Sequence, residues 1–204
     1  MPSLTLQFSI QFEVDRCWST INNLDWFSNN GYSVRLVNGF KPNIELPELR
    51  QLVELEYDSA SYQKFVEYLK HEWKIVKLKF EQENHVLPFT IEGIPVVFLT
   101  KYGTAGSYDS LKGAITVNIA NRTERDVLRV MIHELIHIGI APLILKYGIS
   151  HWKKERFVDL IEIQCFPDIA CQQSIDPEAA SVDAVFMTHY PALEKIASQI
   201  GKQY

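Results

Sequence analysis

Between Glu124 and Ile138 apolar residues fall at Val127, Leu128, Val130, Met131, Leu135, Ile136 and Ile138. That spacing predicts a helix buried over most of its circumference. Thr123, just ahead of the acidic first turn, is the expected N-cap, and Gly139, Ala141 and Pro142 predict the helix end. A second helical pattern runs through Phe157, Val158, Leu160, Ile161 and Ile163. Strict alternation of Leu4, Leu6, Phe8, Ile10, Phe12 and Val14 predicts a strand over Ser3 to Val14. Ile115, Val117 and Ile119 predict another with one buried face, and the β-branched, apolar stretches Lys74 to Phe80 and Ile94 to Leu99 suit strands. Leu46 to Trp73 holds helical stretches with Tyr62, Phe65 and Leu69 as a core stripe, and Asp176 to Met187 and Ala192 to Ile200 are expected to close the chain as two helices. The pattern as a whole is that of an α+β fold.

The long helix carries the chemistry. His133-Glu134-Leu135-Ile136-His137 puts two imidazoles one turn apart, about 6 Å along the axis, with a carboxylate beside them. Burying three ionisable groups in an apolar stretch is costly without a partner, and one zinc ion removes the cost. A catalytic zinc takes a third protein ligand. The pattern H-E-x-x-H-x-x-G-x-x-H is excluded, because Ile140 and Leu143 stand where it needs glycine and histidine. Glu155 and Asp159 share one face of the next helix, although a charged pair on a helix is more often a solvated face.

Taken together, His133-Glu134-x-x-His137 and Glu155-x-x-x-Asp159 resemble the gluzincin metallopeptidases, the thermolysin-like clan, and especially their small members with a single catalytic domain. The resemblance spans roughly residues 95 to 165. It implies zinc held by His133, His137 and Glu155, Glu134 as general base and acid, and Asp159 as the hydrogen-bond partner that orients the first histidine. It also implies a zincin-like catalytic domain: a twisted mixed sheet with a backing helix and the motif helix over residues 46–138, and a helical lower lobe with the glutamate ligand over 139–204. Residues 1–45 are then a strand-rich segment packed on that domain. In the family the strand before the motif helix is an edge that receives substrate, which places peptide against Ala114, Thr116 and Asn118. For the donor that stabilises the oxyanion, His189 and Tyr190 are favoured, with Tyr147 and His151 as alternatives.

The activity so implied is hydrolysis of a peptide or protein substrate by a zinc-activated water. A non-catalytic zinc-binding module that recognises peptides is the second reading, and a zinc hydrolase acting on a non-peptide amide the third. Retention of Glu134 argues against the second. Composition narrows the partners. A formal charge of −5, with no basic stripe beyond Lys153-Lys154, disfavours nucleic acid. There is no continuous apolar run of about 18 residues, so no membrane span is expected. The first residues lack a basic leader, which makes the cytoplasm the default location. Cys17, Cys165 and Cys171 are odd in number and lack C-x-x-C spacing, so they are read as ordinary thiols. At 204 residues and 47% hydrophobic the chain can bury one full core.

Overall fold

Val97 and Leu99 lie opposite Ile115 and Val117 on neighbouring parallel strands, and all four are buried. Around this pair the computed structural model, which describes residues 4–83, 96–170 and 177–202, builds an α+β fold. Ser3, Ile94, Cys171 and Asp176, which the sequence expectations include, lie outside the described residues.

The sheet has four strands, β1 (Thr5–Gln7), β2 (Val96–Thr100), β3 (Gly106–Asp109) and β4 (Ala114–Asn118), in the order β1-β2-β4-β3. β1, β2 and β4 are parallel, and β3 runs antiparallel to β4 at the end of the sheet. β4 is therefore interior, and the expectation that Ala114, Thr116 and Asn118 form a substrate-receiving edge is overturned. Thr116 faces Phe98 on one side and Ser107 on the other. Asn118 is buried and structural: its backbone N–H donates to Ala105 O, its side-chain amide donates to Gly103 O, and its Oδ1 accepts from Ala120 N. The cause is the tight turn between β3 and β4, where Asp109 Oδ1 accepts from the N–H groups of Leu111 and Lys112.

Two expected strands prove helical. Lys74 to Phe80 is the last part of α4 (Ser59–Gln82), whose buried residues Tyr62, Phe65, Val66, Leu69, Trp73, Val76 and Phe80 keep helical spacing to the end. Ile75 and Leu78, which lent the stretch its strand-like composition, are each 59% exposed. Period outranks β-branched content here. The alternation over residues 3 to 14 likewise yields only β1. Ser9 then accepts from Phe12 N and starts α1 (Ile10–Ile21), where Glu13, Val14 and Cys17 turn inward at helical spacing. The fully buried Glu13 carboxylate accepts from Tyr62 OH, from Thr100 Oγ1 at 2.5 Å and from Lys101 N at 2.8 Å, tying α1 to α4 and β2. The described part of the N-terminal segment, residues 4–45, is therefore not strand-rich: beyond β1 its regular elements are α1 and α2 (Leu24–Asn29). With α3 (Leu46–Glu56) this segment forms a small core of Val14, Cys17, Val37, Ile44, Leu49 and Val53, anchored on Tyr102 just after β2.

The motif helix α5 (Glu124–Tyr147) begins as expected, in a reciprocal cap between Thr123 and Asp126. It does not stop at Gly139. It carries Pro142 inside and ends on Gly148 in the left-handed conformation (φ 60°, ψ 38°). An internal proline removes a helix hydrogen bond and costs about 3 kcal/mol. Burial of Ile140 and Ala141, and packing of Leu143, Ile144 and Tyr147 on the main core, offset it. One continuous helix therefore crosses the expected lobe boundary at 138. α5 is long and apolar enough by composition to cross a membrane, unlike the expectation from continuous runs, but 67% of that stretch is buried inside the protein. α6 (His151–Cys165) runs back along α5. A buried Arg156 ties it to α7 (Ala180–His189) through two hydrogen bonds to Asp183 at 2.7 and 2.6 Å, and α8 (Leu193–Gly201) packs on α5 and α7.

Candidate metal centre

Helical spacing puts His133 and His137 on one face of α5, and the return of α6 brings Glu155 against both. The two Nε2 atoms are 3.1 Å apart, and Glu155 Oε2 is 3.4 Å from the first and 3.2 Å from the second. Ligands about 2.0–2.1 Å from a tetrahedral ion stand about 3.3–3.4 Å from one another. The triangle has the size and the donor set of a two-histidine, one-carboxylate zinc site. Its side chains are 12%, 3% and 23% exposed for His133, His137 and Glu155. The other oxygen of Glu155 pairs with Lys154 Nζ at 3.0 Å, leaving Oε2 for the imidazoles.

The imidazoles are oriented differently. His133 Nδ1 lies 3.1 Å from Glu162 Oε2, in hydrogen-bond contact, and 3.7 Å from Asp159 Oδ1. The expected partner Asp159 is thus in place but outside hydrogen-bond distance, and Glu162 takes the role. Glu155, Asp159 and Glu162 form an i, i+4, i+7 stripe on α6, so the signal for Glu162 was already in the spacing. His137 Nδ1 has no hydrogen-bond partner among the described residues. Its ring is held instead by Tyr108 of β3, stacked at 4.7 Å with planes 8° apart.

Burial disfavours each charge here, and the neighbours decide which survives. Burial works against protonated His133, but the Glu155 and Glu162 carboxylates outweigh it and raise the imidazole to about 10. Burial prevails at His137, which falls to about 4. Glu155 would rise on burial, yet the two imidazoles and Lys154 hold it well below the usual carboxylate range. Burial lifts Glu134 to about 7 and Asp159 to about 6, against the pull of His133 on both. Glu134, Glu155, Asp159 and Glu162 converge on two imidazoles in a water-poor pocket, a charge balance that a divalent cation completes.

Glu134 lies beside the triangle, against Gly106 of β3. A Cβ added to Gly106 would lie 2.3 Å from Glu134 Oε1, so only glycine leaves room for the carboxylate. Beyond it a cleft passes over Glu134 and Glu155 in two connected parts. One part is lined by Trp26, Phe27, Tyr108, His137, His151 and Lys154, the other by Ser33, Arg122, Arg129, Val130 and His133, and Tyr32, Thr104 and Gly106 border both. The Tyr32 hydroxyl lies 2.6 Å from His151 Nε2. Burial, with the Glu155 and Glu134 charges adding, lifts the Tyr32 phenol to about 12, so it stays protonated and able to donate.

His151 is therefore brought to the cleft and the other expected oxyanion donors are not. Tyr190 contacts Cys165 Sγ at 3.9 Å and packs at a tilt on Phe186. Cys165 is ten residues, about 15 Å of helix, beyond Glu155 on α6. His189 is the neighbouring last residue of α7 and does not line the cleft. Tyr147 is as far past His137 on α5, and its hydroxyl donates to Glu194 Oε1 at 3.1 Å. Tyr32 was missed because no local pattern marks it. Gly106 lay in a visibly turn-rich stretch, but its need for a bare Cα depends on Glu134. No family model matches the chain, and neither a curated protein nor a solved structure matches it, so the site stands on its own geometry.

Proposed function

We propose that the protein is a zinc-dependent peptidase of gluzincin type, built on a zincin-like catalytic fold. The observation that carries this is the triangle of His133 Nε2, His137 Nε2 and Glu155 Oε2, all within 3.4 Å of one another, with Glu134 beside it on the cleft. The order of backing helix, sheet ending in an antiparallel strand, motif helix and glutamate-bearing helix supports the fold assignment. The three ligands would hold zinc, which supplies Lewis acidity and makes water more acidic. Glu134, beside the ligands on the cleft, takes the proton of the attacking water and returns it to the leaving amine. Tyr32 faces the same space and donates to the oxyanion as it develops, its hydroxyl oxygen held by His151. The outer edge of β3, rather than β4, accepts the peptide backbone as an added strand.

The test measures bound zinc and cleavage of a broad peptide library for the wild type and for Glu134→Gln. Stoichiometric zinc in both is expected, with turnover about 10²–10⁴-fold lower in the variant. A wild type without stoichiometric zinc after purification in its presence overturns the ligand assignment. Zinc without any cleavage favours a non-catalytic zinc-binding module that recognises peptides.

A further inference from the structure

The cleft is chemically lopsided. On the side away from Tyr108 a cavity of about 340 Å³ is bordered by Arg122 and Arg129, both half-buried. Among the described residues neither guanidinium makes a hydrogen bond or an ion pair. Other arginines are engaged: Arg35 with Glu56, Arg50 with Glu54, Arg125 with Asp168 O, Arg156 with Asp183. Arg122 and Arg129 feel the Asp126 charge without pairing with it, and Asp126 Oδ2 accepts from the Thr123 backbone and hydroxyl in the cap. Glu134 and Glu155 also face the cavity, and Glu155 is already paired with Lys154 and the imidazoles. Two cations are left facing one partly desolvated space, each with a planar fork that suits a carboxylate.

We propose that Arg122 and Arg129 form a carboxylate-recognition subsite, making this a peptidase for substrates with an acidic group close to the scissile bond. The inference rests on the peptidase reading above. Arg129 stands one turn before His133 on α5, about 6 Å along the axis. An extended peptide advances about 3.3–3.6 Å per residue, which puts the carboxylate one to three residues from the reacting carbonyl. An Asp or Glu side chain and a free C-terminus offer the same chemistry, and the opposite half of the cleft, with Trp26, Phe27 and Tyr108, suits an aromatic or aliphatic residue.

The experiment compares zinc-loaded wild type and Arg122→Gln/Arg129→Gln on peptides that carry Asp, Asn or Lys at each position in turn. Each peptide is made with a free and with an amidated C-terminus. The wild type should show, at one register or at the free terminus, about tenfold or greater preference in kcat/KM for the carboxylate, the size of one charge-assisted hydrogen bond. The register distinguishes the two sources. The double variant should lose the preference, and Arg129→Glu should shift it towards Lys. Equal cleavage by the wild type of Asp and Asn peptides at every register together with equal cleavage of free and amidated termini, or a preference kept by the double variant with unchanged zinc content, overturns the proposal. Fluorescence anisotropy of the same peptides on zinc-loaded Glu134→Gln separates the two readings. Arginine-dependent binding of acidic peptides without any wild-type cleavage would uphold the subsite and overturn the peptidase.

Discussion

On one wall of the cleft, His133, Glu134 and His137 come from α5 and Glu155 from α6, with Asp159 and Glu162 of α6 buried behind them, all placed by helical period and by one short connection between two helices. On the facing wall, Tyr32 follows α2 and Gly106 and Tyr108 belong to β3, and the hydroxyl of Tyr32 reaches a histidine 119 residues away in sequence. The first wall carries the imidazoles and carboxylates of the candidate centre. The second supplies what shapes their surroundings: a proton donor, room for the Glu134 carboxylate, and the aromatic face that holds His137. Local geometry thus fixes the clustered side chains, while long-range packing fixes the space around them.

Tyr32→Phe separates the walls most sharply. Turnover should fall about 10²–10³-fold, the effect of removing one oxyanion donor, while zinc content stays stoichiometric. Unchanged turnover in a zinc-loaded, folded variant would remove Tyr32 from the reaction. Next in size, Gly106→Ala should lower turnover about a hundredfold, because a methyl group displaces Glu134 by the order of an ångström. A variant as active as wild type would show that Glu134 need not stay against β3. Behind the first wall, Glu162→Ala should weaken zinc binding about 10–100-fold, measured by competition with a chromogenic chelator, and Asp159→Ala should weaken it less. The reverse order would return the orienting role to Asp159.

The smallest effect lies behind the cleft, at Glu13. Its carboxyl is raised above 4.5, chiefly by burial, against hydrogen bonds from Thr100, Tyr62 and Lys101 N. A raised folded pKa means that the folded state holds the proton more tightly, so this stabilisation is full below about 4.5 and is lost as pH rises through the folded value. The Tm of the wild type minus that of Glu13→Gln should therefore shrink as pH rises from about 4.5. A difference that widens as pH rises contradicts the assignment.

Much of the first wall could be read before any fold was known. A helix has one dominant period, so Thr123 marks the start of α5, His133 and His137 must share a face, and Glu155 and Asp159 must share the next. Even Glu162 obeys that rule, three residues past Asp159. The failures elsewhere are of a different kind. Alternation at Leu4 to Val14 is compatible with a strand and, for Ile10, Glu13, Val14 and Cys17, with a helix face. The choice went to the helix because Ser9 caps it and Glu13 finds three donors there. The end of α5 was misplaced because Gly139 and Pro142 are unfavourable locally, whereas burial against the core is not a local quantity.

What the sequence by itself determined is the stripe of histidines and carboxylates on α5 and α6, because side chains three and four apart on a helix meet whatever surrounds them. Only the tertiary structure decided that β3 rather than β4 borders the cleft, that Glu162 rather than Asp159 bonds His133, and that Tyr32 and His151 rather than His189 and Tyr190 face it. Strand order, the rotation of one helix on another and the docking of a distant segment are set by which apolar surfaces bury together, and that selection is made by the whole chain at once.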